Sequence, residues 1–77
     1  MNDRLPQLKP RELIQTLEKF GFLIRRQTGS HIILRNPKTK KIACVPMHTK
    51  DIKRGLLFGI IRQSGISQSD FLMKLKK

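Results

Sequence analysis

Two short turn sequences divide the middle of this 77-residue chain and limit how the segments around them can pair. Gly29-Ser30 is a two-residue turn, and the segment 36–39 combines an Asn that starts turns with a Pro that presets φ. Neither link is long enough for a crossover helix, so the flanking segments predict an antiparallel meander that Pro46 closes. The segments, all apolar or rich in β-tolerant residues, are 22–28, 31–35 and 41–45.

Apolar stripes at helical spacing stand on both sides of the meander. The first predicts a helix over 10–20, with Pro10 at its first position and Gly21 as its left-handed cap. The second predicts a helix over 53–64, and a start resembling a capping box at 67–70 predicts a short last helix. The stripes consist of Leu13, Ile14, Leu17 and Phe20, and of Leu56, Leu57, Ile60 and Ile61.

The predicted order is α-β-β-β-α with an extra C-terminal helix, an α+β fold. Apolar helices cover only one face of a three-stranded antiparallel sheet, so we expect the other face to be polar and exposed. Strand alternation places Ile32 and Leu34 on the covered face, and His31, Ile33 and Arg35 on the open face. The chain is long enough for one domain, 1–77, and too short for a separate cofactor domain.

Basic residues dominate the composition, with 17 Lys+Arg against 5 Asp+Glu and a formal charge of +12. No acidic residue lies between Lys19 and Lys50. Such a charge in the middle of a fold favours a polyanion or an acidic protein as the partner. The chain has no membrane-spanning apolar run, no signal segment and a single cysteine, so we expect a cytoplasmic protein that does not bind membranes.

Few catalytic arrangements fit these residues. The basic stretch contains no paired carboxylates, the chain has too few Cys and His residues for a zinc site, and no glycine-rich phosphate loop is present. Ser30 and His31 are adjacent on a strand and point to opposite faces, which argues against a Ser–His nucleophile pair. We therefore expect neither a metal nor a cofactor.

Metal-free cleavage of RNA does fit, because the ribose 2′-OH is itself the nucleophile. The protein then supplies only a proton acceptor, a proton donor and cations for the phosphate. An imidazole, which ordinarily titrates near pH ~6.5, suits proton removal at neutral pH. His31 with Arg26, Arg35 and Lys50 nearby could form such a site. The residues alone are also consistent with the alternative that His31 is a surface histidine without function.

Several segments resemble one known family in the same order and with similar spacing. RQTGSH at 26–31 resembles the R-Q-x-G-S-H motif of the HicA (YcfA-type) mRNA interferase toxins. The chain departs from the family pattern at Arg54, where a Pro is usual, and at Leu57, where a polar residue is frequent. The resemblance covers about residues 9–75. Its further segments are RELI at 11–14, FGF at 20–22, VPMH at 45–48, DIKRGLL at 51–57 and IRQSGI at 61–66.

The resemblance implies a single HicA-like domain, with its core at about 9–75, and a double-stranded-RNA-binding-domain-like αβββα fold. It implies a toxin of a type II toxin–antitoxin pair that cleaves single-stranded mRNA and arrests translation. A HicB-type antitoxin is the implied protein partner and covers the active surface. The family's essential histidine falls on His31, which would act as the general base on the 2′-OH.

Other residues of these motifs have expected roles that the sequence leaves partly open. Gly29 supplies a backbone conformation that aims His31 outward, and Ser30 either binds RNA or serves the turn. His48 either protonates the leaving 5′-oxygen or has a structural role in a loop. The cations expected to contact phosphates as a group are Arg26, Arg35, Lys50, Lys53 and Arg54, the last two at a helix N-terminus.

Two other functions remain open for the same fold. The basic face could belong to a non-catalytic RNA-binding module, or to an interaction domain that binds an acidic protein such as the antitoxin.

Overall fold

The computed structural model of the chain describes residues 6–75. The predicted domain, 1–77, extends beyond this range at both ends. Within residues 6–75, no helix is long and apolar enough to cross a bilayer. The elements follow the order α1, β1, β2, β3, α2, α3, so the predicted α+β fold class, with a double-stranded-RNA-binding-domain-like order, is confirmed.

Helix α1 spans Pro10–Lys19, and both of its ends are set by its sequence. Pro10 occupies the first position, and the amide N–H of Lys9 donates to the Glu12 carboxylate across 2.9 Å. At the other end Gly21 takes a φ of +95°, and the amide of Phe22 donates to the carbonyl of Leu17 as in a Schellman motif. The helix therefore ends one residue before the predicted boundary.

The three strands form one antiparallel sheet in the order β1-β2-β3. Strand β1 spans Leu23–Thr28, β2 spans His31–Arg35 and β3 spans Ile42–Pro46. The predicted bounds of β2 are confirmed, while β1 begins one residue later and β3 is shifted by one residue. A bulge between Ile24 and Arg26, which the sequence did not predict, makes Arg25 the extra residue of β1.

Helix α2 spans Arg54–Ser64 and helix α3 spans Gln68–Leu75. Gly65, with a φ of +78°, ends α2 as predicted. The hydroxyl of Ser67 accepts a 3.1 Å hydrogen bond from the amide of Asp70, which is half of the predicted capping box.

The core lies between the helices and one face of the sheet. Leu34 from β2 and Ala43 and Val45 from β3 are fully buried there, opposite apolar residues from all three helices. The apolar helical residues with the lowest exposure are Leu13, Leu17, Leu57, Ile61 and Phe71. Leu57 is therefore part of the core.

The face of the sheet opposite the helices is open, as predicted, but it is less polar than expected. Leu23 and Ile42 lie there at 57% and 44% exposure, on either side of Arg35 in the strand register. The bulge in β1 puts Leu23 rather than Ile24 on the open face, whereas Ile42 lies there as the register partner of Arg35 on β3. The end of the open face near Arg35 is therefore apolar, and His31 lies at the opposite end.

Candidate active site

His31 is the first residue of the central strand and lies half-buried on the open face. Its register partners are Thr28 on β1 and Pro46 on β3. The turn before it passes through Gly29, whose φ of +54° lies in the left-handed region that other residues adopt only at a cost. Gly29 therefore has a left-handed backbone conformation, which is of the kind expected from the sequence.

The second histidine reaches the same place from outside the sheet. Just after β3, the amide of Met47 donates to the carbonyl of Ser30 across 2.6 Å. This bond adds one step to the β2–β3 ladder and holds the loop after β3 against the turn before β2. The exposed ring of His48 lies with its centroid 5.9 Å from that of His31, and the two ring planes are inclined by 58°.

The loop that holds His48, residues 47–53, is anchored at its far end by Ile52. The Ile52 side chain is fully buried, and its amide donates to the carbonyl of Leu8 across 2.7 Å. Between the two anchors, the Thr49 hydroxyl donates to the carbonyl of Asp51 across 2.8 Å. The loop is therefore fixed at both ends and braced in the middle, so the position of His48 is built into the fold.

The two histidines can act on one small group. Proton transfer requires a heavy-atom distance of about 2.6–3.2 Å from a ring nitrogen. Imidazoles whose centroids are 5.9 Å apart can both reach oxygens of one phosphate group bound between them. Such a pair can accept a proton at one oxygen and donate a proton to another.

The arginines of the sheet differ in their distance from this pair. Arg26 lies opposite Ile33, which makes it a diagonal neighbour of His31 on the open face, at about 7–8 Å. Arg35 lies at the far end of β2, about 13 Å from His31 along the strand. Arg26 is therefore placed beside the histidine pair, and the expectation that Arg35 lies near His31 is wrong.

Three more cations follow His48 along the chain. Lys50 belongs to the same loop, Lys53 precedes α2 as its N-cap, and Arg54 is the first helical residue. The first turn of α2 contains no acidic residue, and Lys53 makes no side-chain cap hydrogen bond. His48 and Lys53 line the same surface cleft, which places this positive helix end next to the histidine pair. Amide groups and cations at such an end favour a phosphate.

A site for a metal ion is not evident in the described part of the chain. Residues 6–75 contain no group of three or more His, Cys, Asp or Glu side chains arranged to hold one. The chemistry that these residues themselves offer is proton transfer and charge stabilisation.

Fold and charge together define a small, strongly basic α+β protein with a double-stranded-RNA-binding-domain-like fold and a histidine pair on the open side of its sheet. A family model for the HicA toxin of bacterial toxin–antitoxin systems matches residues 10–66. The chain belongs to this family, which implies an antitoxin as its partner. A comparison with curated proteins gave no match. The matched region holds the whole sheet and the histidine pair, and it ends before α3.

Sequence reasoning found the residues of the site but not the contacts that bring them together. It left His48 between two roles because nothing local to the VPMH segment shows how close the following loop lies to Ser30. It also overlooked Ile52 and Thr49, which fix that loop. An apolar residue alone between Asp51 and Lys53 was the available signal, since a loop residue of this kind is often an anchor in the core.

Proposed function

We propose that this protein is a metal-independent endoribonuclease, an mRNA interferase, and the toxin of its toxin–antitoxin pair. The observation that carries the proposal is the 5.9 Å separation of the His31 and His48 rings beside a cluster of cations. A pair of imidazoles supplies both proton transfers that RNA cleavage needs. The target is single-stranded mRNA in the cytoplasm, and its cleavage arrests translation.

The proposed reaction uses the substrate's own nucleophile. His31, as general base, removes the proton of the ribose 2′-OH, and the 2′-oxygen attacks the adjacent phosphorus. The bond from phosphorus to the 5′-oxygen of the next nucleotide breaks, and that oxygen takes a proton from the His48 imidazolium. The products are a 2′,3′-cyclic phosphate and a free 5′-OH, so protons and electron pairs balance.

The cations have a different task from the histidines. The phosphorane-like transition state gathers negative charge on its non-bridging oxygens, and fixed positive groups stabilise it more than the ground state. In the proposed reaction this role falls to Arg26, a diagonal neighbour of His31, and to Lys50 with the N-terminal end of α2. Arg35 is placed to bind a phosphate further along the strand. Ser30 contributes its carbonyl to the loop contact, which supports its role in the turn.

The deciding experiment is cleavage of a single-stranded RNA by the free toxin, followed by identification of the new ends. Wild-type protein should cut in the presence of EDTA and leave cyclic phosphates. His31→Ala should bind the same RNA but should not cut it. A substrate with 2′-deoxyribose at the scissile position should resist the wild type.

Each alternative function predicts a different result. RNA that is bound but never cut would indicate a non-catalytic RNA-binding module. An affinity for RNA that hardly changes with salt would indicate an interaction domain, because phosphate contacts release counterions and weaken steeply as salt rises. Wild-type cleavage of the 2′-deoxy substrate would overturn the proposed use of the 2′-OH.

The structure also suggests where the antitoxin binds, and we infer that a HicB-type antitoxin covers the open face of the sheet. Leu23 and Ile42 expose large apolar side chains there, and burial of such groups favours a protein partner over a phosphate backbone. Leu23→Asp should weaken antitoxin binding about tenfold or more, as loss of a buried interface anchor does. A titration of labelled toxin with purified antitoxin measures the effect, and an unchanged affinity would contradict this placement.

A further inference from the structure

A cleft of about 220 Å³ lies between the loop 47–53 and the first turn of α2. None of the roles assigned above uses its interior. The residues that line it are Pro46, His48, Thr49, Asp51, Lys53 and Leu56.

The walls of this cleft suit a flat apolar group with polar edges. Leu56 is 49% exposed, although the other three apolar residues of the α2 stripe are buried, and Pro46 faces the same space. The remaining lining residues are polar or charged. The bond from the Thr49 hydroxyl to the Asp51 carbonyl fixes the loop side, so the cleft is already formed in the free protein.

The size of the cleft limits what it can hold. Pockets that enclose drug-sized molecules measure about 300–1,000 Å³, so a cleft of about 220 Å³ fits one small ring system. Proteins that bind single-stranded RNA hold unstacked bases against side chains and bind their edges by hydrogen bonds.

His48 connects the cleft to the proposed chemistry, because it forms part of the cleft wall and faces His31 at 5.9 Å. We propose that the cleft is the subsite for the nucleobase immediately 3′ of the scissile phosphate. This inference rests on the proposed ribonuclease function, in which His48 protonates the 5′-oxygen of that same nucleotide. In this arrangement the base of the leaving nucleotide lies beside His48, and His48 protonates the 5′-oxygen of the same nucleotide.

Asp51 gives this subsite a preference among bases. Among the described residues that line the cleft Asp51 is the one acidic residue, and it precedes the cations Lys53 and Arg54 at the start of α2. A carboxylate repels the phosphates of RNA, but it accepts hydrogen bonds from exocyclic amino groups. Cytosine, adenine and guanine have such groups and uracil has none, so the subsite disfavours uracil.

The test uses oligonucleotides that contain a single ribose, so that only one bond can be cut. The nucleotide 3′ of this bond is varied among the four bases and an abasic residue. Wild-type toxin should cut the abasic substrate about tenfold more slowly than the cytosine or adenine substrate, as expected when one base contact is lost. The uracil substrate should be cut at a rate between those of the abasic and the cytosine substrates.

Two variants separate the subsite from general effects on the fold. Leu56→Ser should remove most of the difference between the cytosine and abasic substrates, and Asp51→Asn should reduce the difference between cytosine and uracil. Met73→Ser is the matched control, since Met73 is a 64% exposed apolar residue on α3, outside the cleft. It should leave all five relative rates unchanged. Equal wild-type rates on all five substrates, or an equal slowing of all five by Leu56→Ser, would overturn the proposal.

A binding measurement keeps this inference separate from the proposed function. Fully 2′-deoxy versions of the oligonucleotides cannot be cut by 2′-OH attack, and their affinity is measured by fluorescence anisotropy. Weaker binding of the abasic oligonucleotide, with the difference lost in Leu56→Ser, supports a base subsite even if no RNA is ever cleaved. Equal affinities in a toxin that does cleave RNA would overturn the subsite and leave the ribonuclease function standing.

Discussion

The amide of Met47 donates to the carbonyl of Ser30 across 2.6 Å, and this bond joins the two places from which the histidines come. Ser30 directly precedes His31, and Met47 directly precedes His48. The bond therefore sets the spacing of the two rings through the backbone, with no need for a side chain to bridge them.

Met47→Pro removes this donor and tests its importance. We expect RNA cleavage to fall by about tenfold or more, since misplacement of a catalytic group by an ångström is costly. Stability should fall by about 1 kcal/mol, the usual net value of one hydrogen bond. Met47→Ala keeps the amide and is the control. Cleavage rates and urea unfolding check both effects, and equal activity of the two variants would contradict the prediction.

Each histidine should be needed for cleavage, because one accepts the proton of the 2′-OH and the other donates a proton to the leaving 5′-oxygen. His31→Ala and His48→Ala should each lower the cleavage rate by about 10²–10⁴-fold. Steady-state cleavage of a single-stranded RNA measures both rates, and a variant that cuts at the wild-type rate would contradict the role of its histidine.

A substrate with a better leaving group distinguishes the roles of the two histidines. RNA with sulfur in place of the 5′-bridging oxygen needs little protonation as its bond to phosphorus breaks. It should restore most of the activity of His48→Ala and none of that of His31→Ala. Equal rescue of both variants would show that the roles are not divided in this way.

Arg26 and Arg35 should differ in which kinetic constant they affect. Arg26→Gln should lower kcat, because Arg26 lies beside His31, whereas Arg35→Gln should mainly raise KM for RNA. Each substitution should reduce the slope of log affinity against log salt by about one, the value for one phosphate contact. Steady-state kinetics at several salt concentrations measure both effects. A larger kcat loss in Arg35→Gln would contradict the placement of the phosphate.

Substitution of Gly29 and of Gly59 by alanine should change the free energy of unfolding in opposite directions. Apart from its own chain neighbours and, for Gly59, the backbone of its helix, a Cβ atom at either position meets nothing within 4 Å, so the main difference between them is the backbone conformation. Gly29→Ala should cost about 1–2 kcal/mol, because its φ of +54° is left-handed. Gly59→Ala lies within α2 and should gain about 0.5–1 kcal/mol. Denaturant unfolding measures both changes, and similar values for the two would refute the argument.

Local signals predicted the elements of this fold to within about one residue at most ends. Glycines at positions that need a positive φ marked the ends of α1 and α2, and the turn at Gly29 fixed the start of β2. The bulge at Arg25 had no such signal, because the 22–28 segment contains neither Gly nor Pro. The bulge decides which apolar residue of β1 lies on the open face, Leu23 rather than Ile24, but it does not affect Ile42, which lies on β3.

The residues of the site were also predictable, but their arrangement was not. The strand period placed His31 on the open face, and the spacing within β2 could have shown that Arg35 lies far from it. The approach of His48 depends on the backbone pairing of Met47 with Ser30 and of Ile52 with Leu8. Both pairings join residues far apart in the sequence, and no local pattern encodes them.

The Leu8–Ile52 bridge has a consequence for how the toxin is made. On the ribosome, the turn that presents His31 is synthesised well before Ile52. Until Ile52 emerges and pairs with Leu8, the loop that presents His48 has only one of its two anchors. We therefore expect the histidine pair to assemble only after Ile52 has been synthesised and has left the ribosome, however early the turn before His31 forms.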